Sequence, residues 1–300
     1  MRADFAALIL THGRPDNVLT YETLRRQGYT GKIIIVIDNE DARGDEYQER
    51  FCGLDGVEVY CFDKLAVSET FDTADNQQDR RTIVYARNAS FDIARQLGFR
   101  YFLQLDDDYT SFDWRFTDKL EFAQASHWRE AERSGWFTDD LDRMFTIFVD
   151  FLAGAPSVRT IAMAQNGDFI GGPHGRFGTK VTLWRKAMNS FFCDVDRPIN
   201  FVGRINEDVN TYTWRATTGT LMLTSNLVAI SQAQTQQSEG GMSDVYLGLG
   251  TYTKSMYTVL FHPSGARVRM MISRHRRLHH AVDWKRTTPK ILSESLRKPR

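Results

Sequence analysis

"FRYFLQLDDDY", residues 99–109, joins an apolar run to three consecutive carboxylates. Adjacent acids repel one another, an arrangement that costs energy unless water, a cation or basic partners offset it. From these residues alone two readings stand open: a solvated acidic turn, or a metal site at the carboxyl end of a buried strand, where open α/β sheets bind ligands. The segments upstream supply the setting. "FAALILT" (5–11) and "KIIIVID" (32–38) are continuous apolar runs, as strands covered on both faces are, and "VEVYCF" (57–62) reads as a third strand. Between them Asp16 is placed to cap a helix with Val18, Tyr21 and Leu24 on one face, closed by Gly28. Ala86, Ala89, Ile93 and Leu97 form a second helical stripe that stops at Gly98. This alternation of strands and helices predicts an α/β fold with right-handed crossovers and a mainly parallel sheet, its loop chemistry gathered at one edge.

Downstream the pattern is less regular. Residues 63–79 read as a polar mobile loop, 113–136 as a charged, aromatic helical insertion, and 139–152 as a helix with Leu141, Phe145, Phe148 and Leu152 on one side. "RTIAMAQ" (159–165) is a further strand, followed by the glycine-rich "GDFIGGPHGRFG", and a strand-like stretch at 220–224 follows "RINEDVNTYTW". There is no GxGxxG after the first strand and no GxxxxGK[ST], which removes support for a dinucleotide fingerprint or a P-loop. One domain over 1–262, with halves meeting near 110, and a basic segment over 263–300 is the simplest organisation.

The chain has 300 residues, 42% hydrophobic and 25% charged, which are globular values. Its net charge of zero hides an asymmetry: residues 263–300 hold eleven Lys or Arg against two acids, leaving the preceding residues with 27 basic and 36 acidic groups. An acidic body with a basic end suggests an anionic partner near the C-terminus, although a solubilising tail fits the same count. Cys52, Cys61 and Cys193 form neither a CxxC pair nor a zinc spacing, as expected in a reducing compartment. No signal-like N-terminus and no apolar run near the ~20 residues that span a bilayer are present, so a cytoplasmic protein without a membrane partner is expected.

The order of the motifs narrows the chemistry. A strand ends at Asp38, an Ala-Arg-Asn helix leads into a strand ending in Asp106-Asp107-Asp108, a glycine-rich loop follows, and then Asn206-Glu207-Asp208. This order resembles the GT-A class of nucleotide-sugar glycosyltransferases, which share a DxD motif, a glycine loop, an xED motif and a C-terminal histidine. A diphosphate leaving group gains negative charge as it sheds a sugar, and a divalent cation held by carboxylates stabilises that charge. If the strand continues, Asp106 and Asp108 project to the same side. Asp106 is therefore assigned to the donor and metal shell, Asp108 to the metal, and Asp107 to the donor loop. Asp38 is suited to accept from a uracil imide or ribose hydroxyl, with His12 and Arg14 lining the same pocket. Gly171 and Gly172 let the backbone approach the donor, though paired glycines also make simple loops. Asp208 is placed as general base, with Glu207 orienting the acceptor; a solvated helix start is the plainer alternative.

The resemblance implies further roles. Arg87, with Asn88 beside it, contacts the nucleotide or orients the acidic motif. His279 or His280 completes the metal shell of Mn²⁺ or Mg²⁺, with His262 and His275 competing and His280 preferred. The TxGR start, "ARN…LDDDY", "INEDVNTY" and the ending "RRLHHAVDWKRTTPKI" are similar to the TET-associated glycosyltransferase family known from phage genomes, whose members are linked to sugar transfer onto hydroxymethylated pyrimidines in DNA. The expected function is metal-dependent transfer from a nucleotide-sugar, a UDP-sugar, to 5-hydroxymethylcytosine or a related base in double-stranded DNA, within the host cytoplasm. Arg274, Arg276, Arg277, Lys285, Arg286 and Lys290 would then meet phosphates. Trp284 and the aromatic insertion (Trp114, Trp128, Trp136) would stack beside a displaced base or serve as core anchors. A carbohydrate or protein acceptor, and a non-catalytic nucleic-acid-binding role, are the alternatives.

Overall fold

A computed structural model describes residues 1–75, 78, 80–117, 119, 121–122, 139–169, 174–175, 186–233, 242–272 and 276–287. In β1 (Phe5–Leu10) every residue is buried, and the side chains divide by parity. Phe5, Ala7 and Ile9 join one core and Ala6, Leu8 and Leu10 the other. The same division in β2 (Lys32–Asp38), with Ile33, Ile35 and Ile37 against Ile34 and Val36, explains why these strands read as unbroken apolar runs. Crossovers through α1 (Leu19–Arg26), α2 (Gly44–Phe51), α3 (Lys64–Ser68) and α4 (Val84–Gln96) connect β1, β2, β3 (Val57–Phe62) and β4 (Tyr101–Asp106), all paired in parallel.

The second half adds β5 (Tyr109–Trp114), α5 (Leu141–Gly154), β6 (Val158–Gln165), β7 (Phe191–Asp194), α6 (Glu207–Thr217), β8 (Leu221–Gln232) and α7 (Met242–Phe261). The eight-stranded order is β3-β2-β1-β4-β7-β6-β8-β5, with β7 antiparallel to β4 and β6, β8 parallel to β6, and β5 antiparallel to β8. A separate antiparallel hairpin, β9 (Ala266–Ile272) and β10 (Arg276–Val282), leads into α8 (Trp284–Thr287). The expected α/β fold with a largely parallel sheet is present. Helix α5 closes one face, where Phe148 stacks on Phe192 of β7 with centroids 4.8 Å apart.

Several local expectations are corrected. Asp16 does not cap α1; it pairs with Arg43 and Arg50, and the chain enters α1 through a short 3-10 turn at Pro15–Asn17. The polar stretch after β3 contains α3, capped by Asp63, whose carboxylate accepts from the Ala66 amide at 3.0 Å. Asp113 and Trp114 lie in β5 rather than in a helical insertion, and Trp128 and Trp136 fall outside the described residues. The strand expected at 220–224 runs on to Gln232. Gly28, at φ +82°, ends α1 as expected; a Cβ there would lie 2.0 Å from the Asp139 carbonyl oxygen, so close packing as well as conformation requires glycine.

Candidate active site

Chain order reverses between β1 and β4, since β2 and β3 extend the sheet on one side of β1 and β4 lies on the other. Such a switch point opens a crevice at the carboxyl ends of the strands. A cavity of about 790 Å³ lies there, lined by His12, Arg14, Asp38, Arg87, Asp106, Asp107, Asp108, Glu207, Asp208, Arg277, His279 and His280 together with several unexpected side chains.

The acidic turn is fixed from below. The Thr20 amide donates to the Asp107 carbonyl at 3.0 Å and its hydroxyl to the Asp106 carbonyl at 2.6 Å, while the Tyr109 amide donates back to that hydroxyl at 2.9 Å. The strand stops at Asp106, so the alternation assumed for the three acids does not continue. Asp107 is buried, accepts from the Thr11 hydroxyl at 2.7 Å and pairs with Arg14 at 3.0 Å. It holds the β1 and β4 loops together. Burial raises its carboxyl to about 6, against the opposing pull of Arg14 and Thr11.

Arg87 ties the two acidic motifs together. It is 1% exposed, donates from Nε to Glu207 Oε1 at 2.9 Å and from Nη2 to Asp106 Oδ1 at 3.0 Å, and lies over the Phe191 ring at 4.9 Å. Even so, burial raises Asp106 to about 7, aided by repulsion from Asp108 and Glu207. Asp208 is likewise raised to about 7, by burial first and by the Glu207 charge second. Asn206 sits in the left-handed region (φ 56°) and donates to the Lys254 carbonyl at 2.6 Å, which docks the start of α6 on α7.

Asp106 and Asp108 offer hard oxygen donors and share one hydrogen-bond donor, Nε2 of Gln232, at 3.4 and 3.2 Å. Burial and the Asp107 charge push Asp108 up as well. Two desolvated, mutually repelling carboxylates fit a divalent cation. Among the described residues, no three His, Cys, Asp or Glu side chains converge on one metal position. His280 therefore lines the cavity without forming a ready three-ligand set with Asp106 and Asp108. The shell would be completed by substrate oxygens and water, as is common for Mg²⁺.

At the β2 edge, Asp38 Oδ2 pairs with His12 Nδ1 at 2.9 Å and Lys64 Nζ at 3.1 Å, while Oδ1 accepts the Glu40 amide at 3.1 Å. Three of its roughly four acceptor sites are thus occupied. Burial pushes Asp38 up, but the His12 hydrogen bond and the Lys64 charge outweigh it and hold the carboxyl below its usual value. The group presented to the cavity is therefore the assembled His12–Asp38–Lys64 cluster rather than Asp38 alone. On the opposite wall, burial lowers His280 to about 3, and burial with the Arg277 charge lowers His279, so both rings are neutral at pH 7. Burial also lowers Lys254, an effect opposed by Asp208.

Not every expected residue reaches this cavity. Asn88 does not line it: its amide donates to the Phe201 carbonyl at 3.0 Å and accepts the Phe201 amide at 2.8 Å, clamping α4 to the loop before α6. Arg276, Lys285 and Arg286 lie outside the lining, and Arg286 donates to the Ser264 carbonyl at 3.0 Å. Gly171, Gly172, Arg274 and Lys290 fall outside the described residues. Trp284 stacks on Tyr212 with centroids 5.6 Å apart, and Trp114 packs against the main core. Lys64, Lys254 and Gln232 are among the lining residues that the sequence pattern does not single out.

No helix among the described residues is long and apolar enough to cross a membrane. Residues 5–241 match the family described as TET-Associated Glycosyltransferase. No curated protein matches the chain.

Proposed function

We propose that this chain, which belongs to the TET-associated glycosyltransferase family, moves a sugar from a nucleotide-sugar, a UDP-sugar, to the hydroxyl of 5-hydroxymethylcytosine or a related hydroxymethylpyrimidine in DNA. The observation that carries the chemistry is the meeting of Asp106, Glu207 and Asp208 around buried Arg87 in one cavity at the sheet's switch point. The family name points to the same class of reaction and, through its link to TET, to a hydroxymethylated base.

In this reading the His12–Asp38–Lys64 cluster and Arg14 receive the nucleotide, and Asp106 and Asp108 would hold a divalent cation, which would supply charge neutralisation for the leaving group. Asp208, only 7% exposed and with a carboxyl raised to about 7, is poised as general base. It takes the proton of the acceptor hydroxyl as that oxygen bonds to the anomeric carbon, and the bond to the diphosphate breaks with its electron pair leaving on phosphate. Arg87 keeps Glu207 and Asp106 in place. Neutral His279 and His280 supply hydrogen-bonding groups without adding charge.

Cation binding has to release the proton that burial retains on Asp106, whose carboxyl is raised to about 7, and the same upward push acts on Asp108. Protons therefore compete below about pH 7, and cation affinity rises with pH up to that point. At Mn²⁺ near 100 Kd the stabilisation at pH 8 should be about 2.7 kcal/mol. The Mn²⁺-induced rise in Tm should be clearly smaller at pH 6, and Asp108→Asn should shrink it at both. UDP release stimulated by hydroxymethylated DNA should stop in excess chelator. Full activity with chelator, or an Mn²⁺ shift identical at both pH values, would contradict this assignment.

A further inference from the structure

The β9–β10 hairpin carries a surface outside the donor cavity. Its register pairs Ile272 with Arg276, Met270 with Leu278, and Val268 with His280. Directly opposed residues of an antiparallel pair share a face. Met270, Ile272 and Leu278 thus form one apolar strip with Arg276 at its end, while Arg267, Arg269 and Arg277 occupy the reverse.

The root of the apolar face is anchored, with Ala266 buried and Val282 packed against the core that contains Val209 and Tyr212. Its outer half is bare. Met270 is 57% exposed and Ile272 is 81% exposed, the most exposed large apolar side chain among the described residues. Arg276 on the same face and Arg267, Arg269 and Arg277 on the reverse are all exposed. A two-stranded ribbon with one apolar face, Arg276 at the end of that face and three arginines along its back complements a polyanion with an apolar interior, which describes duplex DNA with phosphates outside and stacked bases inside. A two-stranded ribbon fits the major groove, and Met, Ile or Leu wedges unstack base steps in proteins that open or bend DNA.

Position strengthens the assignment. The same hairpin lines the cavity through Arg277, His279 and His280, so a duplex seated on it lies at the cavity mouth. Asp208 is buried inside that cavity, and a base within an intact stack cannot reach it; the target nucleotide has to leave the helix. The hairpin lies beyond residues 5–241 that match the family.

We propose that the β9–β10 hairpin is a duplex-opening ribbon, its arginines holding phosphates while Met270 and Ile272 wedge into the base stack beside the target nucleotide. This rests on the DNA-acceptor reading above. The test uses the full chain, one hydroxymethylcytosine sequence in single-stranded and duplex form, and a panel of UDP-sugars. In the Met270→Ala/Ile272→Ala variant the apparent KM for duplex should rise about tenfold, the loss expected when an unstacking wedge is removed, and that for single strand by less than about twofold. A 2-aminopurine next to the target should brighten when wild type binds the duplex and stay dark with the variant. Arg267→Ala/Arg269→Ala should weaken binding to both forms and flatten the log–log salt slope on duplex by about one to two units, at ~0.9 per phosphate contact.

Phe151→Ala on α5, an exposed apolar position elsewhere, controls for general loss of surface hydrophobicity and should change neither KM. Equal effects of the wedge variant on both DNA forms, or none on either, overturn the wedge. Wild-type transfer to single strand alone overturns duplex opening. Wild-type transfer to neither form overturns the DNA reading itself, and the hairpin proposal with it.

Discussion

Asp208→Asn should lower turnover by ~10²–10⁴ while leaving donor affinity close to that of the wild type, the loss typical when a general base is removed. The amide is nearly isosteric with the carboxylic acid, and the contact Asp208 makes with the Val209 amide at 2.7 Å is to an oxygen the amide retains. Folding is therefore preserved and the defect isolates proton transfer. Because burial and Glu207 raise the Asp208 carboxyl to about 7, wild-type kcat/KM should climb with pH through neutrality as the base loses its proton. At saturating Mn²⁺, where proton competition for the cation is overcome, the variant should lack that limb. A variant with near-normal turnover moves the base elsewhere, to Glu207 first. A variant that is slow but keeps the same limb shows that the limb belongs to another group.

Arg87→Met should cost roughly 3–5 kcal/mol of stability, the range seen when one partner of a buried ion pair is removed and its partners are stranded. Methionine fills much of the volume between Phe191 and Phe201, so the loss reflects charge more than a cavity. The deficit should depend on pH. Without Arg87 the Asp106 carboxyl is raised further above its unfolded value near 3.8, and a raised acid loses stability as pH climbs above that value. Because the wild-type carboxyl already sits at about 7, both proteins lose stability in parallel up to that pH, and the gap between variant and wild type in thermal or urea unfolding should widen as pH rises above about 7. A pH-independent gap below about 1 kcal/mol would mean that Arg87 is not the counterion of this cluster.

The N-terminal half of the fold is legible in the sequence because β1 and the stretch Ile33–Ile37 of β2 are buried on both faces and are apolar throughout. The later strands are less so. "YTSFDW" (β5) and "SNLVAISQ" (the end of β8) mix polar and apolar residues, and they become strands by pairing with each other across more than a hundred residues. "FFCD" (β7) is only four residues long and gains its identity from β4 and β6 on either side.

The site divides in the same way. Carboxylates at strand ends and at a helix start announce themselves, as Asp38 and Asp106 do in the first setting and Asp208 in the second. Lys64 and Lys254 look like surface charge in a sequence, and Gln232 reaches Asp106 and Asp108 only because β8 runs its full length. Asn88 follows Arg87 by one helical position, a turn of about 100° that carries it off the cavity wall and onto Phe201. The basic C-terminal segment is visible as a count of charges; its division into an arginine face and an apolar strip depends on the β9–β10 register.

The most direct test of the central claim is nucleoside mass spectrometry after incubating the protein with Mn²⁺, a panel of UDP-sugars and DNA containing 5-hydroxymethylcytosine. The expected result is a hydroxymethylcytosine nucleoside heavier by one sugar residue, formed with at least one donor, absent when the DNA carries unmodified cytosine, and abolished by Asp208→Asn. Donor hydrolysis with every sugar and no mass added to any nucleoside would contradict it.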